Sequence, residues 1–273
     1  MLGAVCGDII GSVYEKNNIK KKTFPLFNEN DRFTDDTVMT CAILIASMEY
    51  KKNKNINKFR DNCIKYMREL GRRYINAGYG QTFIYWLLSK DPKPYNSYGN
   101  GSAMRVSSVA YVADSLEEAE NLAKVSAEVT HSHVEGIKGA QAIAGSIWLL
   151  LHNANKREIY EYIELNYYKL SFKIDDIRLS YTFDVSCQGS VPQSIQAFLE
   201  SNDFEDSIRI AVSLGGDSDT IAAITGSLAE AYYGIPKEIK DKAITYLDDE
   251  LLYYLNTYYN FSDKIKDIHK KTK

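Results

Sequence analysis

Two short acidic motifs stand far apart in the sequence, and each directly precedes an apolar segment. The first is Thr34-Asp35-Asp36-Thr37, ahead of a predicted helix over Val38–Met48. The second is Gly215-Gly216-Asp217-Ser218-Asp219-Thr220, ahead of the apolar run Ile221–Ile224. Carboxylates and hydroxyls at helix starts often serve as caps, so capping is one interpretation of each motif taken singly.

Taken together, the two motifs indicate a metal site. Four carboxylates compressed against apolar helices would repel one another and lose hydration unless a cation joined them. Their ligand atoms are all oxygens, without a neighbouring His or Cys, and this suits a hard cation such as Mg²⁺ or Mn²⁺. Two such clusters brought together would bridge two ions, an arrangement that can grip vicinal hydroxyl oxygens.

A third acid, Glu15, ends the segment Gly7-Asp8-Ile9-Ile10-Gly11-Ser12-Val13-Tyr14-Glu15. Glycines at positions 3, 7 and 11 recur every four residues, which lets another helix or a ligand approach closely. From this spacing alone we favour helix packing, with Glu15 solvated at the end of the segment.

The segment Ser97-Tyr98-Gly99-Asn100-Gly101-Ser102-Ala103-Met104-Arg105 predicts a loop with positive φ, followed by a helix from Ala103. Amides at such a helix start can bind phosphate. No strand precedes the loop and it lacks G-x-G-x-x-G, which excludes a Rossmann site. In Thr130-His131-Ser132-His133, His131 is equally consistent with a hydrogen bond to phosphate and with a cap on the preceding helix.

The elements that must position these residues are predicted to be helices. The chain has only five prolines in 273 residues, and apolar residues recur at helical spacing, as in 38–45 and 137–148. No set of alternating strand segments is found. We therefore predict an all-α fold, a single orthogonal multi-helix globular domain spanning 1–273.

Local signals add boundaries to this prediction. Ser115 and Glu118 form a capping-box pattern that opens a helix over Leu116–Val129. Pro192 is typical of the first residue of a helix. Loops are expected near 23–33, 91–102 and 182–191, and a helical period continues from Pro236 to Lys273.

Composition narrows the classes of function. Apolar residues make up 45% and charged residues 25%, with a net charge of -3, so the broad basic field of a nucleic-acid-binding protein is missing. Four cysteines without a C-x-x-C pair favour free thiols in a reducing compartment. Neither an apolar run of about 18 residues nor a basic, apolar leader is found, so we expect no membrane span and no signal peptide. We expect a cytoplasmic monomer.

The motifs also occur together, in order, in one family. The chain resembles the ADP-ribosylglycohydrolase family, the group of the dinitrogenase reductase-activating glycohydrolase and the mammalian ADP-ribosylhydrolases. The resemblance runs from about residue 2 to 235. Its matching pieces are G-D-I-I-G-S-V-Y-E (7–15), T-D-D-T (34–37), Y-G-N-G-S-A-M-R-V (98–106), T-H-S-H (130–133) and L-G-G-D-S-D-T (214–220).

This resemblance implies an all-α fold with a dinuclear Mg²⁺ or Mn²⁺ centre. The implied metal ligands are Thr34, Asp35, Asp36, Asp217, Asp219 and Thr220. The implied contacts to the diphosphate and distal ribose are Ser97, Tyr98, Gly99, Asn100, Gly101 and His131. Glu15 matches an acid that can ligate a metal in the serine-directed branch. Ser102 departs from the pattern, since several animal relatives carry glycine there, and it could tighten the pocket.

The resemblance further implies hydrolysis of the bond at the anomeric carbon of the distal ribose, releasing ADP-ribose from a modified protein or small adduct. Such cleavage passes through an oxocarbenium-like state. Glu15 is the first candidate for proton transfer and Asp36 the second. Two roles of the metal stay open, orienting the ribose diol or activating water. The alternatives are a non-catalytic ADP-ribose-binding module and a structural protein of the same fold.

Overall fold

The computed structural model describes residues 1–257, and all regular structure in that range is helical. The all-α prediction is confirmed; within this range the β-type pairing is an isolated bridge between Gly99 and Ser186. The α-helices are α1 (Leu2–Gly11), α2 (Asp35–Asn53), α3 (Ile56–Arg73), α4 (Gln81–Leu88), α5 (Gly101–Met104), α6 (Val109–Val112), α7 (Leu116–Glu128), α8 (Val134–Leu151), α9 (Lys156–Asn166), α10 (Ile174–Ile177), α11 (Cys187–Glu200), α12 (Phe204–Leu214), α13 (Ser218–Tyr233) and α14 (Lys237–Ile244).

Helix α13 lies at the centre of the core. Its residues from Ser218 through Glu230 are all buried, and so is the whole of α1. Helix α1 packs along α13, while α8, α11 and α12 contact other sides of α13. Because both helices are enclosed, their sequences are apolar around most of the circumference, and a polar residue within them needs partners inside the protein.

Glycines set the distance between α1 and α13. A Cβ atom on Gly7 would lie 2.0 Å from the carbonyl oxygen of Ala222, and one on Gly11 would lie 2.5 Å from the Cα of Asp219. No side chain fits at either position, so the two backbones are in direct contact. The helix-packing interpretation of the four-residue glycine spacing is confirmed, and the contact brings Asp8 next to the first turn of α13.

The predicted start of α7 at Leu116, with Ser115 as its N-cap, is confirmed, whereas the complete capping box and the place of Pro192 are predicted wrongly. Only half of the expected capping box forms, because Ser115 accepts from the Glu118 amide at 3.1 Å while the Glu118 carboxylate accepts from the Asp114 amide. Helix α11 begins at Cys187, capped by Ser186, so Pro192 lies inside the helix instead of opening it. The side-chain cap of Ser186 therefore marks the start of α11 better than the proline at position 192 does.

The predicted loop boundaries also shift. The loop expected over 182–191 ends at 186. The loop expected over 91–102 ends at 100, because α5 begins at Gly101, two residues before the predicted start at Ala103. The loop expected over 23–33 extends through 12–34. The helical period predicted from Pro236 onward is found in α14 and again over 249–257, and its remainder, 258–273, lies outside the described residues.

The four cysteines are free, as the sequence predicts, and all of them are buried. Burial raises the pKa of the Cys41, Cys63 and Cys187 thiols to about 12, so these side chains are neutral apolar packing groups. Across residues 1–257, no helix is at once long enough and apolar enough to traverse a bilayer.

The α1–α13 contact predicts a large effect of a single methyl group. Gly7→Ala should lower the free energy of unfolding by about 1–3 kcal/mol, because the new Cβ meets the α13 backbone, which has no room to yield. Gly80→Ala is the control, since a Cβ there meets nothing within 4 Å. Urea unfolding of both variants checks the prediction, and equal stabilities would contradict it.

Candidate active site

Three buried carboxylates from three separate segments meet at one point. One oxygen from each of Asp8, Asp36 and Asp219 lies within 4.8 Å of the other two. The Thr220 hydroxyl donates a 3.0 Å hydrogen bond to Asp36 Oδ2 and so joins the beginnings of α13 and α2. The two acidic motifs of the sequence, 184 residues apart at this bond, are therefore in contact.

Asp8 is the site residue that sequence reasoning missed. Its carboxylate accepts from the Thr34 amide at 2.9 Å, the Thr34 hydroxyl at 2.6 Å and the Thr37 amide at 3.1 Å, and it also accepts from the Thr37 hydroxyl. These bonds hold the first turn of α2 against α1. The available signal was an acid within an otherwise apolar helix, since a buried charge requires such partners.

Capping accounts for only part of the two motifs. Thr34 does cap α2, accepting from the Asp36 amide at 3.4 Å. Asp217 occupies the corresponding position of α13 but makes no side-chain cap. Its carboxylate instead accepts from the Asn100 side-chain amide at 2.7 Å. Asp217 is thus turned toward the loop of residues 97–101 and away from its own helix.

The loop before α13 depends on two glycines. Gly215 and Gly216 have φ values of 71° and 72°, which side chains rarely tolerate. The side chain of Asn18 accepts from the Gly216 amide at 2.6 Å and donates to the Gly216 carbonyl at 3.1 Å. It also donates to the Glu15 carbonyl at 2.9 Å, so the segment that carries Glu15 is fastened to the Asp217 loop.

Burial and mutual repulsion disfavour ionisation of the aspartates in the two acidic motifs. Burial first, and then the charges of Asp8 and Asp217, raise the pKa of Asp35 to about 8. The pKa values of Asp36 and Asp219 are raised well above the usual range, again by burial and then by neighbouring carboxylates. Asp36 Oδ1 is buried and has no hydrogen-bond partner among the described residues. The cluster therefore has an unpartnered oxygen atom available for a cation, and the positive charge of a bound cation would favour ionisation of these acids.

A cavity of about 730 Å³ opens above this cluster, a size suited to a ligand such as a nucleotide. Asp36, Asp219 and Thr220 line its floor, and Glu15 lies half-buried in its wall. All the predicted substrate contacts also line it, namely Ser97, Tyr98, Gly99, Asn100, Gly101 and His131. The remaining predicted ligands Thr34, Asp35 and Asp217 line the same cavity.

The loop of residues 97–101 has a different geometry from the one predicted. Neither Gly99 nor Gly101 has positive φ, and Asn100 has φ −70°. A Cβ atom on Gly101 would lie 3.1 Å from His131 Nε2, a tight contact, whereas one on Gly99 would lie 3.2 Å from Ser97 Oγ and 3.4 Å from His131 Nε2. Helix α5 has only four residues, and the Asn100 side chain goes to Asp217 rather than capping it.

The two histidines have separate places. His133 is the N-cap of α8, its Nδ1 accepting from the Glu135 amide at 3.1 Å, and its ring packs edge-on against Tyr98. His131 is buried beside the cavity, with Nδ1 2.7 Å from the Thr130 hydroxyl. The side chain of His131 therefore does not cap the preceding helix, which was one of its two interpretations.

Ser102 does not narrow the cavity. Its hydroxyl is fully buried and donates to the Gly136 carbonyl at 2.7 Å, on the side of α8. The departure from glycine at this position is accommodated between α5 and α8.

The fold and the site define an all-helical protein with an oxygen-rich acidic cluster beneath a ligand-sized cavity. The ADP-ribosylglycohydrolase family model matches residues 1–261, and the chain belongs to that family.

Similar proteins include ADP-ribosylhydrolase ARH3 of Gallus gallus, which is 27% identical over 86% of this chain and 84% of its own length. ADP-ribosylarginine hydrolase Tri1 of Pseudomonas putida (strain GB-1) is 26% identical over 86% of this chain and 70% of its own length. A solved structure described as an ADP-ribosylglycohydrolase-related protein complex has a TM-score of 0.63 at 23% identity, covering 90% of this chain and 94% of the other. This last similarity supports the fold.

The raised carboxyl pKa values predict an unusual pH dependence of stability in chelator-treated protein. Between about pH 4 and pH 8 these carboxyl groups keep protons in the folded chain that they have released in the unfolded chain, so their contribution to stability falls as pH rises through this window. Asp36→Asn removes one repelling charge. Relative to wild type, the variant should therefore gain at least about 1 kcal/mol on going from pH 4.5 to pH 8.

Urea unfolding at the two pH values measures this difference. Asp249→Asn, at an exposed aspartate, is the matched control and should show no such pH-dependent gain. A difference between Asp36→Asn and wild type that is the same at both pH values would contradict the prediction.

Proposed function

We propose that this protein is a metal-dependent hydrolase that cleaves the glycosidic bond between the distal ribose of ADP-ribose and a modified substrate, releasing ADP-ribose. The substrate would be a protein arginine or serine side chain, or a small adduct. The observation that carries the proposal is the contact of Asp36 with Thr220 on the floor of the cavity, below the loop of residues 97–101. Family membership and the named activities of ARH3 and Tri1 relatives support it.

The chemistry of the donor set supports binding of divalent cations, and we propose two of them. Its atoms are carboxylate and hydroxyl oxygens, and Asp36 Oδ1 has no partner in residues 1–257. The oxygens of Asp8 are committed to Thr34 and Thr37, so Asp8 would position the first turn of α2. The ions would be held by Thr34, Asp35, Asp36, Asp217, Asp219 and Thr220. Bound Mg²⁺ or Mn²⁺ would supply fixed positive charge for the vicinal ribose hydroxyls and lower the pKa of water.

Glu15 is the better candidate for the proton-transfer group. It is half-buried in the cavity wall, which leaves its carboxylate able to face a substrate. Asp36 is 2% exposed, and Oδ2 already accepts from Thr220. A carboxylate fixed in the floor is better suited to holding a cation than to exchanging protons with a leaving group.

The loop of residues 97–101 and His131 would hold the diphosphate and the distal ribose. Asn100 links this wall to the floor, because its side-chain amide donates to Asp217. A ligand bound along the loop would therefore have one end fixed close to the acidic cluster, and such positioning accounts for a large part of catalysis in hydrolases.

Removal of the proposed proton-transfer group should abolish turnover. Glu15→Gln should lower the release of ADP-ribose by about 10²-fold or more, while ADP-ribose itself still binds. Mass spectrometry with arginine-, serine- and nucleic-acid-linked ADP-ribose and with O-acetyl-ADP-ribose, in Mg²⁺ or Mn²⁺, measures the release. Glu29 is exposed and lies in the same loop as Glu15, the one over 12–34. Glu29→Gln is therefore the matched control and should keep wild-type turnover.

Two outcomes of that panel would overturn the enzyme proposal. Release of ADP-ribose from none of the substrates by wild type, with ADP-ribose still binding in calorimetry, would favour the non-catalytic binding module. Full turnover by Glu15→Gln would remove Glu15 from the mechanism.

Loss of one floor carboxylate should weaken cation binding. In calorimetry we expect about two Mn²⁺ ions per wild-type chain, and Asp219→Asn should lower the affinity for at least one of them by about tenfold or more, because an amide lacks the negative charge. Asp249→Asn should bind as wild type does. Equal binding by wild type and Asp219→Asn would show that the cations lie elsewhere.

A further inference from the structure

One arginine is buried without an acidic partner beside the proposed ligand site. Arg105 is 1% exposed and lines the cavity from behind the loop of residues 97–101. No carboxylate in the part of the chain that the structure describes forms an ion pair with it, and its Nε atom has no hydrogen-bond partner. A buried cation of this kind is costly, so its retention calls for a role.

Arg105 is joined to His131 through one hydroxyl group. Arg105 Nη2 donates to the Ser126 carbonyl at 3.0 Å and to Thr130 Oγ1 at 2.8 Å. Thr130 Oγ1 is in turn 2.7 Å from His131 Nδ1. Thr130 is fully buried, and its hydroxyl has no third partner among the described residues.

Counting donors assigns the protons in this chain of contacts. A guanidinium can only donate, so Arg105 occupies an acceptor site of the Thr130 oxygen. If His131 Nδ1 also donated, the Thr130 hydrogen would be buried without an acceptor, which is unfavourable. The satisfied arrangement has Thr130 donating to Nδ1, and this leaves the imidazole proton on Nε2.

Charge favours the same state of the ring. Burial and then the positive charge of Arg105 lower the pKa of His131 well below its usual value, so the imidazole is neutral. Its Nε2 atom is directed at Gly99 and Gly101, the glycines whose missing side chains leave room for it.

We propose that Arg105 and Thr130 are positioning residues that fix His131 in the Nε2–H tautomer, so that the ring presents a hydrogen-bond donor to an acceptor oxygen of the nucleotide bound at the 97–101 loop. Arg105 itself acts through Thr130. The part that concerns the ligand rests on the proposed function, whereas the tautomer is a property of the free protein.

The test compares two substitutions of one residue. Thr130→Val keeps the shape and removes the hydroxyl, whereas Thr130→Ser keeps the hydroxyl. Nitrogen-15 NMR of the ligand-free protein should show the Nε2–H tautomer of His131 in wild type and in Thr130→Ser, and a mixture of tautomers in Thr130→Val. In calorimetry, Thr130→Val should bind ADP-ribose about tenfold more weakly than wild type, and Thr130→Ser should restore binding.

A double-mutant cycle distinguishes the loss of ring orientation from a general structural effect of the valine. In a His131→Ala background, Thr130→Val should cause no further loss of ADP-ribose affinity, because the ring it orients is gone. An equal loss in both backgrounds would overturn the proposal, and so would an Nδ1–H tautomer in wild type. If wild type binds no ADP-ribose, the proposed function fails, and the NMR result alone decides the proposal.

Discussion

Repulsion between buried carboxylates is the constraint on which the site depends. Asp8, Asp36 and Asp219 are buried, and one oxygen from each lies within 4.8 Å of the others. Three full negative charges cannot coexist there without either protons or cations. The fold imposes this approach, because glycine contacts let α1 and α13 meet backbone to backbone. The stability of the helices and the chemistry of the floor are consequently linked through the same few residues.

The two walls of the cavity have opposite electrostatic character. The floor is acidic, while the 97–101 loop has the buried cation Arg105 and His131 beside it among the residues that line the cavity. Asn100 spans the two by donating to Asp217. A cavity of this kind matches a ligand with hydroxyl groups at one end and phosphate groups further along, and that is the polarity of ADP-ribose.

Sequence patterns predicted the parts of this site that short, local motifs encode. The two acidic motifs predicted a joint site, and the glycine spacing of α1 predicted close helix packing without identifying α13 as the partner. Asp8 was missed, because only its partners Thr34 and Thr37 across the fold explain a carboxylate in an apolar helix. The glycines of the 97–101 loop were assigned to positive φ, which neither has; at Gly101 the close approach of His131, which no local pattern encodes, restricts the space for a side chain.

An anomalous-scattering map from crystals grown with Mn²⁺ would locate the cations. We expect two peaks at the floor of the cavity, each about 2.0–2.3 Å from carboxylate oxygens that include Asp36 and Asp219. Peaks found only outside the cavity, while the carboxyl groups of Asp36 and Asp219 still lie close together, would contradict a metal site at the floor. Protons rather than metal ions would then be what allows the acidic cluster to exist.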